Sequence, residues 1–220
     1  GIAAAGVNKA TIDSKGNTRV DIGSGTEGNI EFDLNLGAVG YDEITTDIIS
    51  GSGGGVSGNV AEATIENDPS TSVNFAAGNS SDNSELEVED VFINADYTNS
   101  FKSLVNSMNV AVGGGNGANI DNDINSEVNI NIGSDSSTPY LRGRELEIRA
   151  ENNINKKELE KGEFNTKSNA GGVITDSAAS SITDISNNTE IKFLDNTEID
   201  IRGKTSIDAV NNFTLYDKSK

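Results

Sequence analysis

Three short phrases recur in this chain four times over, always in the same order, and any fold must accommodate that repetition. A glycine-rich phrase comes first: GIAAAG from Gly1, GSGGGVSG from Gly51, VGGGNGA from Val112 and NAGGVI from Asn169. A small polar residue then opens an alternating phrase, as in TRVDIGSG from Thr18, TSVNFAAG from Thr71, SEVNINIGS from Ser126 and TEIKFLDN from Thr189. The third phrase reads NIEFDLNL from Asn29, ELEVEDVFINA from Glu85, ELEIRAENNI from Glu145 and EIDIRGKTSI from Glu198. Taking Val20, Val73, Val128 and Ile191 as equivalent gives spacings of about 53, 55 and 63 residues, an irregular repeat of about 55–60.

Within the repeat the period is two. Ala118, Ile120, Asn122, Ile124, Ser126, Val128, Ile130 and Ile132 alternate with Asn, Asp and Glu, which is the pattern of a strand with one buried face. The rhythm returns in Leu146, Ile148, Ala150, Asn152 and Ile154, and in Leu104, Asn106, Met108, Val110 and Val112. Phe101, Leu104, Val105 and Met108 also fit helical spacing, but the surrounding Asn and Ser and the continuation into Val112 favour a strand. In the Glu85 phrase the apolar positions change parity between Val88 and Val91, which predicts a bulge or turn near Asp90.

Composition agrees with strands. The 220 residues hold 29 Asn and 24 Gly but only 2 Pro, and Asn and Gly are poor helix formers. One repeat buries too little to offset its own ordering entropy, whereas stacked repeats share a core. The expectation is an all-β chain, a parallel β-helix or β-solenoid, with residues 1–220 a single repetitive segment that begins in mid-pattern, as a fragment of a longer chain would. Each repeat fits either one wide coil or about three coils of roughly 18–21 residues. The frequent Gly and Asn turn signals favour the narrower coils, hence about 12 of them in a rod roughly 50–60 Å long. Inward Asn122 and Asn152 are expected in amide ladders at coil corners, and Gly133 at a corner. KKELEKGE, from Lys156, reads as an exposed insertion loop or a single helical turn.

The formal net charge of −19 disfavours nucleic acid and anionic membrane surfaces as partners, and no apolar run is long enough for a membrane helix, so no membrane insertion by this segment is expected. Cys and His are both absent, which removes disulfides, thiolate metal sites and a Ser-His-Asp arrangement. Glu145 and Glu147 beside Arg142, Arg144 and Arg149 form the best carboxylate cluster, but Glu145, Glu147 and Arg149 share an outward face and read as a salt-bridged patch. GGNGANID from Gly114 departs from a calcium-binding nonapeptide at Asn119 and Asp121 and reads as a glycine turn. Asp121, Asp123, Asp13, Asp82, Asp90 and Glu89 are hard oxygen ligands that would attract calcium only loosely. Both glycine phrases at Gly51 and Val112 lack the Lys of a phosphate-binding loop. Tyr41, Tyr97, Tyr140 and Tyr216 are unevenly spaced and read as separate rim or cap residues rather than a sugar-stacking row. No catalytic, cofactor-binding or metal-binding residue is assigned.

The ordered phrases, a GGG stretch, then a strand of the SEVNINIG type, then one of the ELEIRAENN type, resemble the passenger repeats of filamentous haemagglutinin-like and leukotoxin-type adhesins. These are very large bacterial surface proteins. The resemblance runs across the whole chain and implies a right-handed β-helix, secreted to the bacterial cell surface, serving as a non-enzymatic adhesive shaft. Its implied partners are a receptor or glycan on a host or neighbouring cell, with self-association along the shaft. Two alternatives stay open: a carbohydrate-active β-helix enzyme, and a calcium-stabilised extracellular binding module.

Overall fold

The computed structural model describes residues 3–77, 86–134, 140–195 and 197–218. They form strands without a helix: β1 (Ala3–Ser14), β2 (Asn17–Ile22), β3 (Gly28–Ile30), β4 (Leu34–Asn67), β5 (Ser70–Phe75), β6 (Leu86–Val88), β7 (Asp90–Ile132), β8 (Tyr140–Gly143), β9 (Glu145–Lys156), β10 (Thr166–Gly171), β11 (Ile174–Phe193), β12 (Glu198–Ile201) and β13 (Thr205–Thr214). Every pairing is parallel and joins residues 53 to 61 positions apart. One repeat is therefore one wide circuit of a curled, partly solenoid-like sheet.

Four rungs stack in this way. Rung 1 holds β1, β2, β3 and residues 34–54; rung 2 holds residues 56–67, β5, β6 and residues 90–111; rung 3 holds residues 113–132, β8, β9 and β10; rung 4 holds β11, β12 and β13. At about 4.8 Å per step four rungs rise roughly 15 Å, so the expected stack of narrow coils is overturned. The Asn residues that signalled corners account for the error. Asn122 and Asn152 lie in mid-strand, fully buried, and bond across the interior: Ser103 Oγ donates to Asn122 Oδ1 at 2.7 Å, and Asn152 Nδ2 donates to Ser126 Oγ at 2.9 Å. Asn122 is flanked in register by Ile65 and Thr183 and Asn152 by Tyr97 and Asn211, so neither column is an amide ladder through the four rungs, and cross-core Ser–Asn bonds hold both residues.

The strict alternation is borne out, since every even residue from Ala118 to Ile132 is buried. So is the change of parity in the Glu85 phrase, where the chain bends at exposed Glu89 between β6 and β7 and buries both Asp90 and Val91. Gly133, with φ of +112°, forms the corner after β7. Two alignments need correction. Val73 pairs with Ile130, not Val128, a slip of two residues that leaves the facing unchanged. The Glu145 phrase pairs with the second half of the Glu85 phrase, Leu146 opposite Val91, while Leu141 stands opposite Leu86.

The curl is made at the glycine phrases. Along β7 the buried residues are odd from Val91 to Ala111 and even from Asn116, because the chain doubles back over itself at residues 113–115. Gly114 is required there, since a Cβ on it would stand 1.7 Å from the Ser57 carbonyl oxygen of the rung before. Next to the bend the interior is polar and bonded from rung to rung, except that Ser168 Oγ, in register with Ser107, is buried without a partner. Asn8 Nδ2 donates to Ser50 Oγ (2.9 Å), Ser50 Oγ to Asn59 Oδ1 (2.7 Å), Asn59 Nδ2 to Ser107 Oγ (3.0 Å), Ser107 Oγ to Asn116 Oδ1, and Asn116 Nδ2 to the Asn169 carbonyl (2.8 Å). This chain of bonds steps from rung to rung and satisfies groups that burial would otherwise penalise. Farther from the bend a small cluster of Ala61, Ala63, Val105, Ala118 and Ile120 is followed by the main apolar core, which includes Ile65, Val73, Phe75, Ile93, Phe101, Ile130 and Ile148.

The Lys156 cluster does form an insertion without strand structure at residues 157–165. Phe101 faces Lys156, 55 positions on, but Val105 faces Thr166, 61 positions on. Lys156 itself is not exposed. It occupies an inward position with 1% of its side chain accessible, and its ammonium reaches out of the core to Thr183 Oγ1 (2.9 Å) and Asp217 Oδ2 (3.3 Å).

Candidate functional site

The row Leu104, Asn106, Met108, Val110 and Val112 is a strand, as expected, but it faces the other way. Ser103, Val105, Ser107, Asn109 and Ala111 are buried, and Val110 and Val112 are 62% and 63% exposed. The polar chain at the bend takes the interior, so the apolar row is left outside. Register then gathers an apolar rim around the bend. Gly51 and Gly53 lie beside Met108 and Val110 in rung 2, and Val173 donates its N–H to the Val112 carbonyl across the bend. Val56 and Ile174, both exposed, flank Gly113 on either side.

A cleft of about 170 Å³ opens beside this rim, where the 157–165 insertion overhangs the sheet; its walls include Ile49, Leu104, Asn106, Phe164, Lys167 and Asp47. Lys102 Nζ donates to Glu163 Oε2 at 2.7 Å and the Glu160 N–H reaches the same oxygen at 2.8 Å, which pins the insertion down. The Lys102 hydrogen bond holds the Glu163 carboxyl below its usual range. Sequence reading missed the rim because hydrophobicity alone cannot show which face is inside. Ser107 and Ser50 carried the available signal: register-matched serines suit an interior row with small bonding partners, while Gly51 and Gly53 opposite Met108 and Val110 suit a surface.

The charged cluster around Arg144 is a set of pairs spread over several rungs, exposed except at buried Asp90. Arg144 Nε donates to Asp90 Oδ1 at 3.0 Å and the guanidinium lies 3.7 Å from Glu89 Oε1; Arg142 Nε donates to Asp200 Oδ2 at 3.3 Å; Arg149 pairs with Glu151. The Asp90 hydrogen bond raises the Arg144 pKa further. Glu147 and Arg149 share the outward face as read, over a depression of about 350 Å³ that Phe92, Asn94 and Asp96 also line.

The proposed calcium ligands divide. Asp13 and Asp123 come into one outward column with Glu66 and Asp184, and Asp121 stands two positions away on the same face. Asp90 and Glu89 lie at the other corner with Arg144, and Asp82 falls outside the described residues. Among the described residues no three carboxylates converge on a point that would hold a metal ion. GGNGANID is not a separate turn: it lies within β7, with Gly114 at the bend and the residues from buried Asn116 onward continuing the paired strand. Of the tyrosines, Tyr41 and Tyr216 are exposed, but Tyr97 is a core residue rather than a rim residue. Its hydroxyl donates to Asp42 Oδ2 at 2.7 Å and lies 2.9 Å from Asn67 Oδ1. Burial, and then the Asp42 carboxylate, push the Tyr97 phenol well above its usual range.

No family model, curated protein or solved structure matches this chain.

Proposed function

We propose that this chain is a structural and adhesive segment of a large secreted bacterial surface protein. In this reading the curled sheet belongs to a right-handed parallel β-helix, a shaft that holds the apolar rim and its cleft against a receptor or glycan on a host or neighbouring cell. The rim is the observation that carries it. Met108, Val110 and Val112 follow one another on the outer face of one strand, Val56 and Ile174 stand on either side of Gly113, and Val173 bonds to Val112, all of them exposed on a molecule of net charge −19. Contiguous apolar surface of this kind marks places where soluble proteins meet partners.

A non-enzymatic role fits the charges. Among the described residues the carboxyls that shift do so downward: Asp21 through hydrogen bonds from Asn74 and Arg19, Glu43 through Lys157 and Glu163 through Lys102. A glycosidase acid needs the opposite shift. The test is a combined Met108→Ser, Val110→Ser and Val112→Ser variant, whose side chains point away from the core. It should keep the parent melting temperature and lose retention on cells and immobilised glycans, while each single change retains most of it. Undiminished retention by the combined variant overturns the reading.

A further inference from the structure

The depression on the outward face of β7 and β9 is separate from the rim. It measures about 350 Å³ and is walled by Phe92, Asn94 and Asp96 on rung 2 and by Glu147, Arg149 and Glu151 on rung 3. Rung 2 is paired with rungs 1 and 3 here, and rung 3 with rungs 2 and 4, so the walls stand on the flank of the stack. Phe92 is the wall residue that packing does not explain. It is half-buried, faces outward between Asn35 and Glu147, and belongs to neither apolar cluster.

Register sets three pairs side by side across the depression: Phe92 with Glu147, Asn94 with Arg149 and Asp96 with Glu151. The last pair is taken up by neighbours. Asn94 Nδ2 donates to Asp96 Oδ2, an Arg149 terminal nitrogen to Glu151 Oε2, and Asn212 Nδ2 to Glu151 Oε1 at 3.0 Å. The groups left over gather toward Phe92. Among the described residues the exposed Glu147 carboxylate has no hydrogen-bond or ion partner, Arg149 uses one of its three nitrogens, and Asn94 Oδ1 accepts nothing. The space beside Asn94 is open as well, because its rung 1 neighbour is Gly37, where even a Cβ would meet nothing within 4 Å. An aromatic ring beside free carboxylate, guanidinium and amide groups suits a pyranose, whose C–H face stacks on the ring while its edge hydroxyls both donate and accept. The volume fits too, since small-molecule sites run from roughly 300 to 1,000 Å³. Charge narrows the class: three carboxylates against one guanidinium, on a chain of net charge −19, repel acidic sugars.

We propose that this depression binds a neutral pyranose, with Phe92 as the stacking platform and Glu147, Arg149 and Asn94 as hydrogen-bonding partners of its hydroxyls. The site rests on the outward face of β7 and β9 and owes nothing to the rim.

Titration of the 220-residue chain with the methyl glycosides of glucose, galactose, mannose and N-acetylglucosamine, followed by saturation-transfer NMR, tests this. At least one should bind with a millimolar Kd, and glucuronate should bind roughly tenfold more weakly or not at all. Phe92→Ala and Glu147→Gln, both outside the core, should keep the parent melting temperature and each weaken binding roughly tenfold. Phe92→Tyr, which keeps the ring, should bind like the parent. No binding by any of the four glycosides, or binding that survives Phe92→Ala, overturns the proposal. Tighter binding of n-butylammonium than of every glycoside would overturn it in favour of a cation site. A single ring held at millimolar strength is too weak to retain the chain on a surface, and the combined rim variant should bind the glycoside like the parent. Loss of retention and loss of sugar binding in solution are therefore read separately.

Discussion

Single residues in this chain are judged by what the neighbouring rung places against them. Gly114 and Gly115 are adjacent in the same glycine phrase, yet a Cβ on Gly114 would lie 1.7 Å from the Ser57 carbonyl oxygen and one on Gly115 would meet nothing within 4 Å. Gly114→Ala should therefore destabilise by about 1–3 kcal/mol or more, as overpacking does, while Gly115→Ala is nearly neutral in the same denaturant melt. Equal effects would contradict the placement of the bend. Tyr97 supplies a pH dependence. Its folded pKa is raised, so its contribution is complete below the ordinary phenol value of about 10 and falls as pH rises beyond it, because the unfolded chain ionises first. Melting temperature should decline steeply above that pH, and Tyr97→Phe should shallow the decline; an unchanged slope would place Tyr97 outside the core. None of this was legible from the sequence. Tyr97 and Tyr41 look alike as isolated aromatics, and only register, which sets Gly40 and not Tyr41 beside Tyr97, tells the core residue from the exposed one.

At the scale of the element, alternation was legible wherever one face was wholly apolar or Asn-bearing, as along residues 118–132. It failed along residues 104–112, where small polar partners take the inside. Pairing between elements was harder to read, because ELEV and ELEI look like copies although Leu146 belongs opposite Val91. The outward column of Asp13, Glu66, Asp123 and Asp184 is a property of elements in register that no single strand displays. Like charges directly opposite cost about 0.2–1 kcal/mol per contact, and Asp123 stands between two of them. Asp123→Asn should raise the melting temperature at low salt and raise it less at high salt, where the repulsion is screened. Calcium should stabilise the parent no more than an equal concentration of magnesium, since among the described residues no three carboxylates converge on one ion. A selective rise with calcium would favour a calcium-stabilised module instead.

For the whole molecule, the repeat length was in the sequence but its meaning was not. A period near 57 fits one wide circuit or several narrow ones, and frequent Asn and Gly tilted the reading toward corners. Asn122, Asn152 and Asn116 turned out to be cross-core partners of Ser103, Ser126 and Ser107. The four repetitions thus specify shape: four rungs, each returning the chain one strand spacing along the sheet, with a polar seam at the bend and an apolar core beyond it. Because the chain contains no Cys, this register can be tested by introduced pairs without interference. Ser72 and Asn129 are outward neighbours on adjacent rungs, 57 positions apart in sequence, at a separation of about 4.8 Å that suits a disulfide. A variant carrying both Ser72→Cys and Asn129→Cys should close its disulfide nearly completely on mild oxidation while folded. A folded variant in which that pair stays open, while the thiol introduced at position 72 instead links to a cysteine introduced about 20 residues away, as narrow coils require, would contradict the wide-circuit fold.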